Sequence, residues 1–189
     1  MSYTLISAYT VHTPYEEEYK SFKASLEKQG ITNYKVYPLV PTGSWVKNAQ
    51  LKAKSILQAL NELNTDVLWV DIDAEIRGDI SYFDTLNCDI CCYYLKTRWD
   101  SNELLSGTFY FANNDKVKKL VQDWISTNDK NQEWDQKNLQ KLVDSRDINK
   151  VIMPADYIVV DRIYHQWQTV KDIKIYHKQA SRQNRNKKL

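Results

Sequence analysis

The sequence predicts an α/β sandwich: one domain with a mostly parallel sheet between helices. Three observations carry this. Strand-like and helix-like segments alternate from the start of the chain to Val70, the order of a parallel sheet with crossover helices. The run Val67-Leu68-Trp69-Val70 is apolar without interruption, as a strand buried on both faces must be. The length, 189 residues, suits one globular core and would cramp a second.

The elements follow in order. Tyr3 to Tyr9 is short, apolar and β-branched, a first strand. Pro14 and Glu16-Glu17-Glu18 open a helix that runs to Lys28 and stops at Gly30. Proline fits a first turn, and acids favour the positive end of the helix dipole. Tyr34 to Val40 is a second strand, closed by Pro41. Ser44 caps a helix from Trp45 to Leu63, with Leu51, Ile56, Leu57, Leu60 and Leu63 near helical spacing. Asp66 to Val70 is the buried strand. Cys88 to Leu95, Gly107 to Ala112, Val151 to Val160 and Ile173 to Tyr176 predict further strands. Lys116 to Ser126 and Trp134 to Val143 predict helices, and the weakly periodic Lys96 to Ser106 predicts a loop over the site.

Composition narrows the class. Both charge signs are mixed and the net charge is +2, so the overall field selects no polyanion. From Lys178 to Leu189, however, there are five cations and no acid. This is either a solvated tail or a segment that closes on phosphates. No stretch reaches the roughly 20 apolar residues of a membrane span, and the start lacks the features of a signal peptide. Cys88, Cys91 and Cys92 are too few and too close for a disulfide framework or a zinc cluster. Reduced strand residues of a cytoplasmic protein are expected. Thirteen tyrosines and six tryptophans suit a site that stacks sugars, and equally a core.

The chemistry centres on Asp71 and Asp73. In an open α/β sheet, ligands bind beyond the carboxyl ends of the strands, where the run from Val67 delivers both acids. In an extended segment, residues two apart point the same way, so both carboxylates could face one Mg²⁺ or Mn²⁺ ion. Glu75 and Asp79 are expected in turns.

The segment Val67-Leu68-Trp69-Val70-Asp71-Ile72-Asp73-Ala74 resembles the Asp-x-Asp motif of GT-A-fold glycosyltransferases. Gly43-Ser44-Trp45 with Lys52 upstream, then Leu105-Ser106-Gly107-Thr108, Glu133-Trp134-Asp135-Gln136 and Tyr176-His177-Lys178 downstream, extend the resemblance over nearly the whole chain. The ordered set is similar to small bacterial and phage nucleotide-diphospho-sugar transferases, related to glycogenin-like and galactosyltransferase-like enzymes. The resemblance implies a single GT-A-like, Rossmann-type domain, with a nucleotide half (1–95), a sugar and acceptor half (96–176) and a basic tail (177–189). It implies a metal, Mn²⁺ or Mg²⁺, on Asp71, Asp73 and His177. Donor contacts would come from Ala8, Tyr9, Thr10, Lys52, Asp71, Ser106, Gly107, Lys178, Ser181 and Arg182. Asp135 and Gln136 would act on the transferred sugar and acceptor. The later family Asn of that helix corresponds to Asn138 or Gln140.

Each position also has an ordinary reading: a strand end at Ala8–Thr10, a solvated helix lysine at 52, a tight-turn glycine at 107 and a helix cap at Asp135. The reaction implied is transfer of a sugar from a nucleotide-diphospho-sugar, UDP-linked, to an acceptor hydroxyl, with retention favoured. The acceptor is open among protein, glycan, lipid headgroup and a hydroxymethylated DNA base. The location implied is cytoplasmic, in the host cell for a phage protein. The rival classes are a metal-dependent phospho- or nucleotidyltransferase, and a non-catalytic nucleotide-sugar or nucleic-acid binder. No P-loop motif supports the former.

Overall fold

The computed structural model describes residues 1–96, 101–131, 133–161, 163 and 169–180. A six-stranded sheet forms its centre, built from β1 (Tyr3–Thr10), β2 (Tyr34–Leu39), β3 (Asp66–Val70), β5 (Ile90–Lys96), β6 (Asn102–Phe111) and β7 (Lys150–Ile152). The order is β2-β1-β3-β6-β5-β7, and only β6 runs against the others. A small second sheet has the order β4-β9-β8, from β4 (Ala74–Ile76), β8 (Val159–Val160) and β9 (Ile175–His177). The α/β class and the mostly parallel sheet agree with the sequence.

Burial explains the apolar run in β3. Leu68 and Val70 pack into one cluster with Leu5, Phe22 and Leu26, under α1 (Tyr15–Lys28) and the small sheet. Val67 and Trp69 face the other way, among Ile56 and Leu60 of α2 (Trp45–Glu62), Leu120 and Trp124 of α3 (Asp115–Lys130) and Leu139 of α4 (Asp135–Asp144). With both faces covered, the strand has no polar side.

The helix ends follow local chemistry. Gly30 takes φ +66°, and Ile31 N–H returns to the Leu26 carbonyl, which closes α1 in a Schellman-type turn. The Ser44 and Asn114 side chains cap α2 and α3 by accepting from the Lys47 and Val117 N–H groups.

Topology places the site. β1 lies between β2 and β3, parallel to both. The crossover through α1 goes to one neighbour and the crossover through α2 to the other. The helices lie on opposite faces, so they part at the carboxyl ends of β1 and β3 and leave a crevice.

Several expectations change. The residues before Gly107 are not a loop: Asn102 to Ser106 belong to β6, whereas 97–100 lie outside the described residues. Glu75 is not in a turn but in β4, a three-residue strand that pairs with β9. The strand expected from Val151 to Val160 divides, because Pro154 ends one ladder and β8 joins the other sheet. All three cysteines are buried and free, and Cys88 precedes its strand. Among the described residues, no helix is long and apolar enough to cross a membrane.

The first half of β6 extends beyond β3, which leaves one edge open. Side chains of α4 fill it. Gln140 accepts from Leu104 N–H (3.1 Å) and donates to the Asn102 carbonyl (3.0 Å), as a partner strand would. Gln136 accepts from Ser106 N–H (3.1 Å). Gln140→Ala should lower unfolding stability by about 1–2 kcal/mol, measured by urea denaturation. An unchanged midpoint and slope would contradict this role.

Candidate functional site

The site starts with the turn after β3. Asp71-Ile72-Asp73 is not extended, as the sequence suggested. Ala74 N–H bonds back to the Asp71 carbonyl (3.0 Å), which closes a tight turn. The two carboxylates nevertheless converge, because β4 pairs with β9 in a register that sets Ala74 opposite His177. Asp71, Asp73 and His177 each offer a ligand atom within 4.8 Å of the others. That spread is a little wider than the shell of one ion bound at about 2.1 Å.

Asp73 is held by the chain that follows β9. Ala180 N–H donates to its Oδ2 (2.7 Å), and Lys178 N–H donates to its carbonyl (3.2 Å). Gln179 between them takes φ +54°, uncommon outside glycine, and this turns both neighbouring N–H groups towards Asp73. Burial, and then the charge of Asp71, push the Asp73 carboxyl well above the usual range.

His177 is buried, and its Nε2 lies 2.9 Å from the Thr108 hydroxyl. Burial pulls its pKa down to about 4, so the ring is neutral at physiological pH, the form that binds metals. Gly107 gives the ring its space: a Cβ there would lie 2.9 Å from His177 Cε1 and 3.0 Å from Nδ1. The expected role of Gly107 was close approach to a sugar; here the group that approaches closely is the imidazole. Between Cys91 and Tyr93, β5 advances two residues while β6 advances five, from Tyr110 to Leu105. The surplus falls on Ser106-Gly107-Thr108. Such a bulge re-aims side chains beside a site, and it leaves the Gly107 carbonyl to accept from Asp71 N–H (2.8 Å).

Lys52 is not a solvated helix lysine. Its ammonium lies 2.8 Å from Asp71 Oδ1, 3.9 Å from Asp135 Oδ2, and 3.1 Å from both the carbonyl and hydroxyl oxygens of Ser106. Burial lowers its pKa, but Asp71 and Asp135 outweigh burial and hold it above the usual lysine value. Asp135 opens α4 and is 8% exposed. Burial raises its carboxyl, against the pull of Lys52, and its Oδ2 has no hydrogen-bond partner.

The other expected residues divide. Gln136 is engaged by β6, accepting from Ser106 and donating to Glu103 Oε1 (2.8 Å). Asn138 is bonded to Asn128 and Asn131. Ala8, Tyr9 and Thr10 end β1 beside the crevice, with the Tyr9 ring stacked on Tyr19 at 4.8 Å and the Thr10 hydroxyl on Thr13. The Lys178 ammonium reaches Glu18 (3.4 Å). Ser181 and Arg182 lie outside the described residues. Two residues given no role in the sequence belong here. Thr108 touches His177. Tyr15 is raised to about 12, first by burial and then by Asp73 and Asp71. Thr108 had a signal: Ser106 and Thr108 are polar residues two apart in an apolar strand. Tyr15 had none.

Comparison with solved structures gives the same fold. A glycosyltransferase involved in glycosylation of the major capsid of PBCV-1 superposes with a TM-score of 0.72 at 16% identity, over 98% of each chain. Glycosyltransferase GlyE of Streptococcus pneumoniae TIGR4 gives 0.65 at 13% identity, over 94% of this chain and 54% of its own. Galactosyltransferase LgtC, solved with donor and acceptor sugar analogues, gives 0.58 at 10% identity, over 92% and 86%. No protein-family model and no curated protein sequence matches the chain. The fold is therefore a GT-A-like glycosyltransferase fold.

Lys52→Met should cost about 2–4 kcal/mol of stability, because it leaves buried Asp135 and partly exposed Asp71 without their cation. Chemical denaturation at neutral pH measures this. A loss below about 1 kcal/mol would mean that the network contributes no more than a surface pair.

Proposed function

We propose that this chain is a metal-dependent glycosyltransferase. It moves a sugar from a UDP-linked donor to an acceptor hydroxyl, with Mn²⁺ or Mg²⁺ on Asp71, Asp73 and His177. One observation carries the reading: on a glycosyltransferase fold, two carboxylates and a neutral imidazole converge at the crevice where β1 and β3 end. The donor set suits the ion. Carboxylate oxygens favour hard divalent cations, and a cation would offset what raises Asp73, burial first and then repulsion from Asp71. Thr108 on Nε2 fixes the ring, as a partner of the second nitrogen does for metal-bound histidines.

When bound, the ion would offset the charge that grows on the departing diphosphate. The chain's own residues do the rest. Ala8, Tyr9 and Thr10 border the nucleoside. Lys178 would meet the diphosphate, a role the sequence also suggests for Ser181 and Arg182, which lie outside the described residues. Lys52 holds Asp71 and Asp135 at fixed separation, while Ser106 and Gly107 floor the sugar pocket. The unbonded Oδ2 of Asp135 accepts a hydroxyl of the sugar. Retention is the course favoured, on the likeness of the sequence to glycosyltransferases of this fold. Gln136 acts by fastening α4 to β6.

A donor screen tests this. Purified protein with Mn²⁺ and a set of nucleotide sugars should release nucleoside diphosphate with at least one UDP-sugar. Asp73→Asn should lower that rate by at least about a hundredfold, an effect of the size of losing one main electrostatic group, with no large loss of fold. Release that survives Asp73→Asn and chelation alike would overturn the metal assignment.

A further inference from the structure

At the rim of the same crevice, two indoles meet. Trp45 begins α2 and Trp134 immediately precedes α4. Their rings lie 6.0 Å apart and nearly perpendicular, at 76°. Trp134 is 47% exposed, whereas Trp69 and Trp124 are buried in the core. An indole kept this open beside a site is unusual, because its area is most stabilising when covered.

The pair is tied to the site at both ends. The Trp45 side chain hydrogen-bonds to Tyr15, whose phenol feels the charges of Asp73 and Asp71. Trp134 is followed directly by Asp135, with its buried, unbonded Oδ2. The loop that carries Trp134 is also fastened. Gln50 of α2 donates to the Asn131 and Glu133 carbonyls (both 3.4 Å), and Asn131 accepts from Glu133 N–H (3.1 Å). The rings are therefore positioned before anything binds.

Topology says which half of a substrate the exposed ring, Trp134, meets, while Trp45 reaches back to Tyr15, just past β1. In the sheet order, β1 stands on one side of β3, and β6, against which α4 packs, stands on the other. Ala8–Thr10 are on the β1 side. Trp134 and Asp135 are on the β6 side, away from the strand end assigned to the nucleoside.

We propose that Trp45 and Trp134 form the platform for the acceptor, and that the acceptor is a glycan. This rests on the transferase reading above. An aromatic platform can stack a sugar or a base, and charge decides between them. A nucleic acid needs a cationic track for its phosphates. Around this rim Lys54 is paired with Asp129 (3.6 Å) and Lys141 with Glu133 (2.5 Å), and the crevice behind is lined by three carboxylates. A pyranose suits the surface better: its apolar C–H face covers the indole, and its hydroxyls meet the charged groups at the edge. Glu133 supplies such a group, and the Lys137 ammonium lies over the Trp134 ring, 5.9 Å from its centroid.

The test is binding rather than turnover. The full chain is titrated with the methyl β-glycosides of galactose, glucose and N-acetylglucosamine, with and without UDP and Mn²⁺. Binding is read by saturation-transfer NMR and tryptophan fluorescence. A single-stranded oligonucleotide carrying hydroxymethylcytosine is run in parallel. At least one glycoside should saturate the protein. Trp134→Ala should raise the half-saturating concentration about tenfold, and Trp134→Tyr by no more than about threefold. Trp134→Leu, apolar but without a ring face, should behave as the alanine variant does and serves in its place if that variant fails to fold. The proposal is overturned if no glycoside binds under either condition, if Trp134→Ala and Trp134→Leu bind like the wild type, or if the oligonucleotide binds and the glycosides do not. Failure of the transferase reading would look different: glycosides would still saturate the protein, but no donor would release nucleoside diphosphate.

Discussion

The ammonium of Lys52 is the contact on which the site depends. It is the only cation placed among Asp71, Asp135 and Ser106 in the described structure, and through them it joins α2, the end of β3, the bulge of β6 and the start of α4. A buried charge is tolerated only when it is paired, and Lys52 stays charged because Asp71 and Asp135 outweigh its burial. The arrangement also leaves an imbalance. Asp71, Asp73 and Asp135 outnumber one lysine, and the excess concentrates on Asp73, whose carboxyl is raised by burial and by Asp71. The backbone N–H of Ala180 offsets only part of this. The remaining deficit of positive charge, next to a neutral histidine, is the electrostatic basis of the metal reading.

The rest of the geometry serves to bring His177 to that point. The six-stranded sheet delivers the acids, but the histidine arrives through the small sheet, by pairing of β4 with β9. The imidazole then fits only because residue 107 has no side chain, and it is oriented by Thr108. Gly107 and Thr108 can stand there because β6 bulges between its contacts with β5 and β3. Gln136 and Gln140 satisfy the neighbouring strand edge, which is open because β6 extends beyond β3. Fold and site are thus one set of constraints: the feature that looks like a defect in the ladder is what makes room for the imidazole.

What the sequence showed was what local pattern can encode. The double-faced burial of Val67–Val70, the caps of α2 and the position of the acids at a strand end are all properties of short windows, and they match the structure. The convergence of Lys52, Asp71, Ser106 and Asp135 was inferred only as a resemblance. What escaped was non-local. β4 has three residues and no independent pattern; it is a strand because β9 pairs with it about a hundred residues later. Ser106 looked like the end of a loop because α4 side chains, not a neighbouring strand, complete its ladder. Tyr15 reads as the first residue of an ordinary helix, and only tertiary structure shows that its phenol feels the acid pair. The extended Asp-x-Asp geometry was wrong: a turn and a second sheet, not an extended segment, bring the carboxylates together.

The central claim is that Asp71, Asp73 and His177 bind one divalent ion that also holds a diphosphate. A crystal structure of the protein with UDP and Mn²⁺, with anomalous scattering recorded for manganese, addresses it most directly. The account predicts one strong manganese peak, coordinated by these three residues and by diphosphate oxygens, with the uracil beside Ala8–Thr10. A well-ordered UDP without manganese at Asp71, Asp73 and His177, or manganese bound elsewhere with this cluster empty, would contradict it.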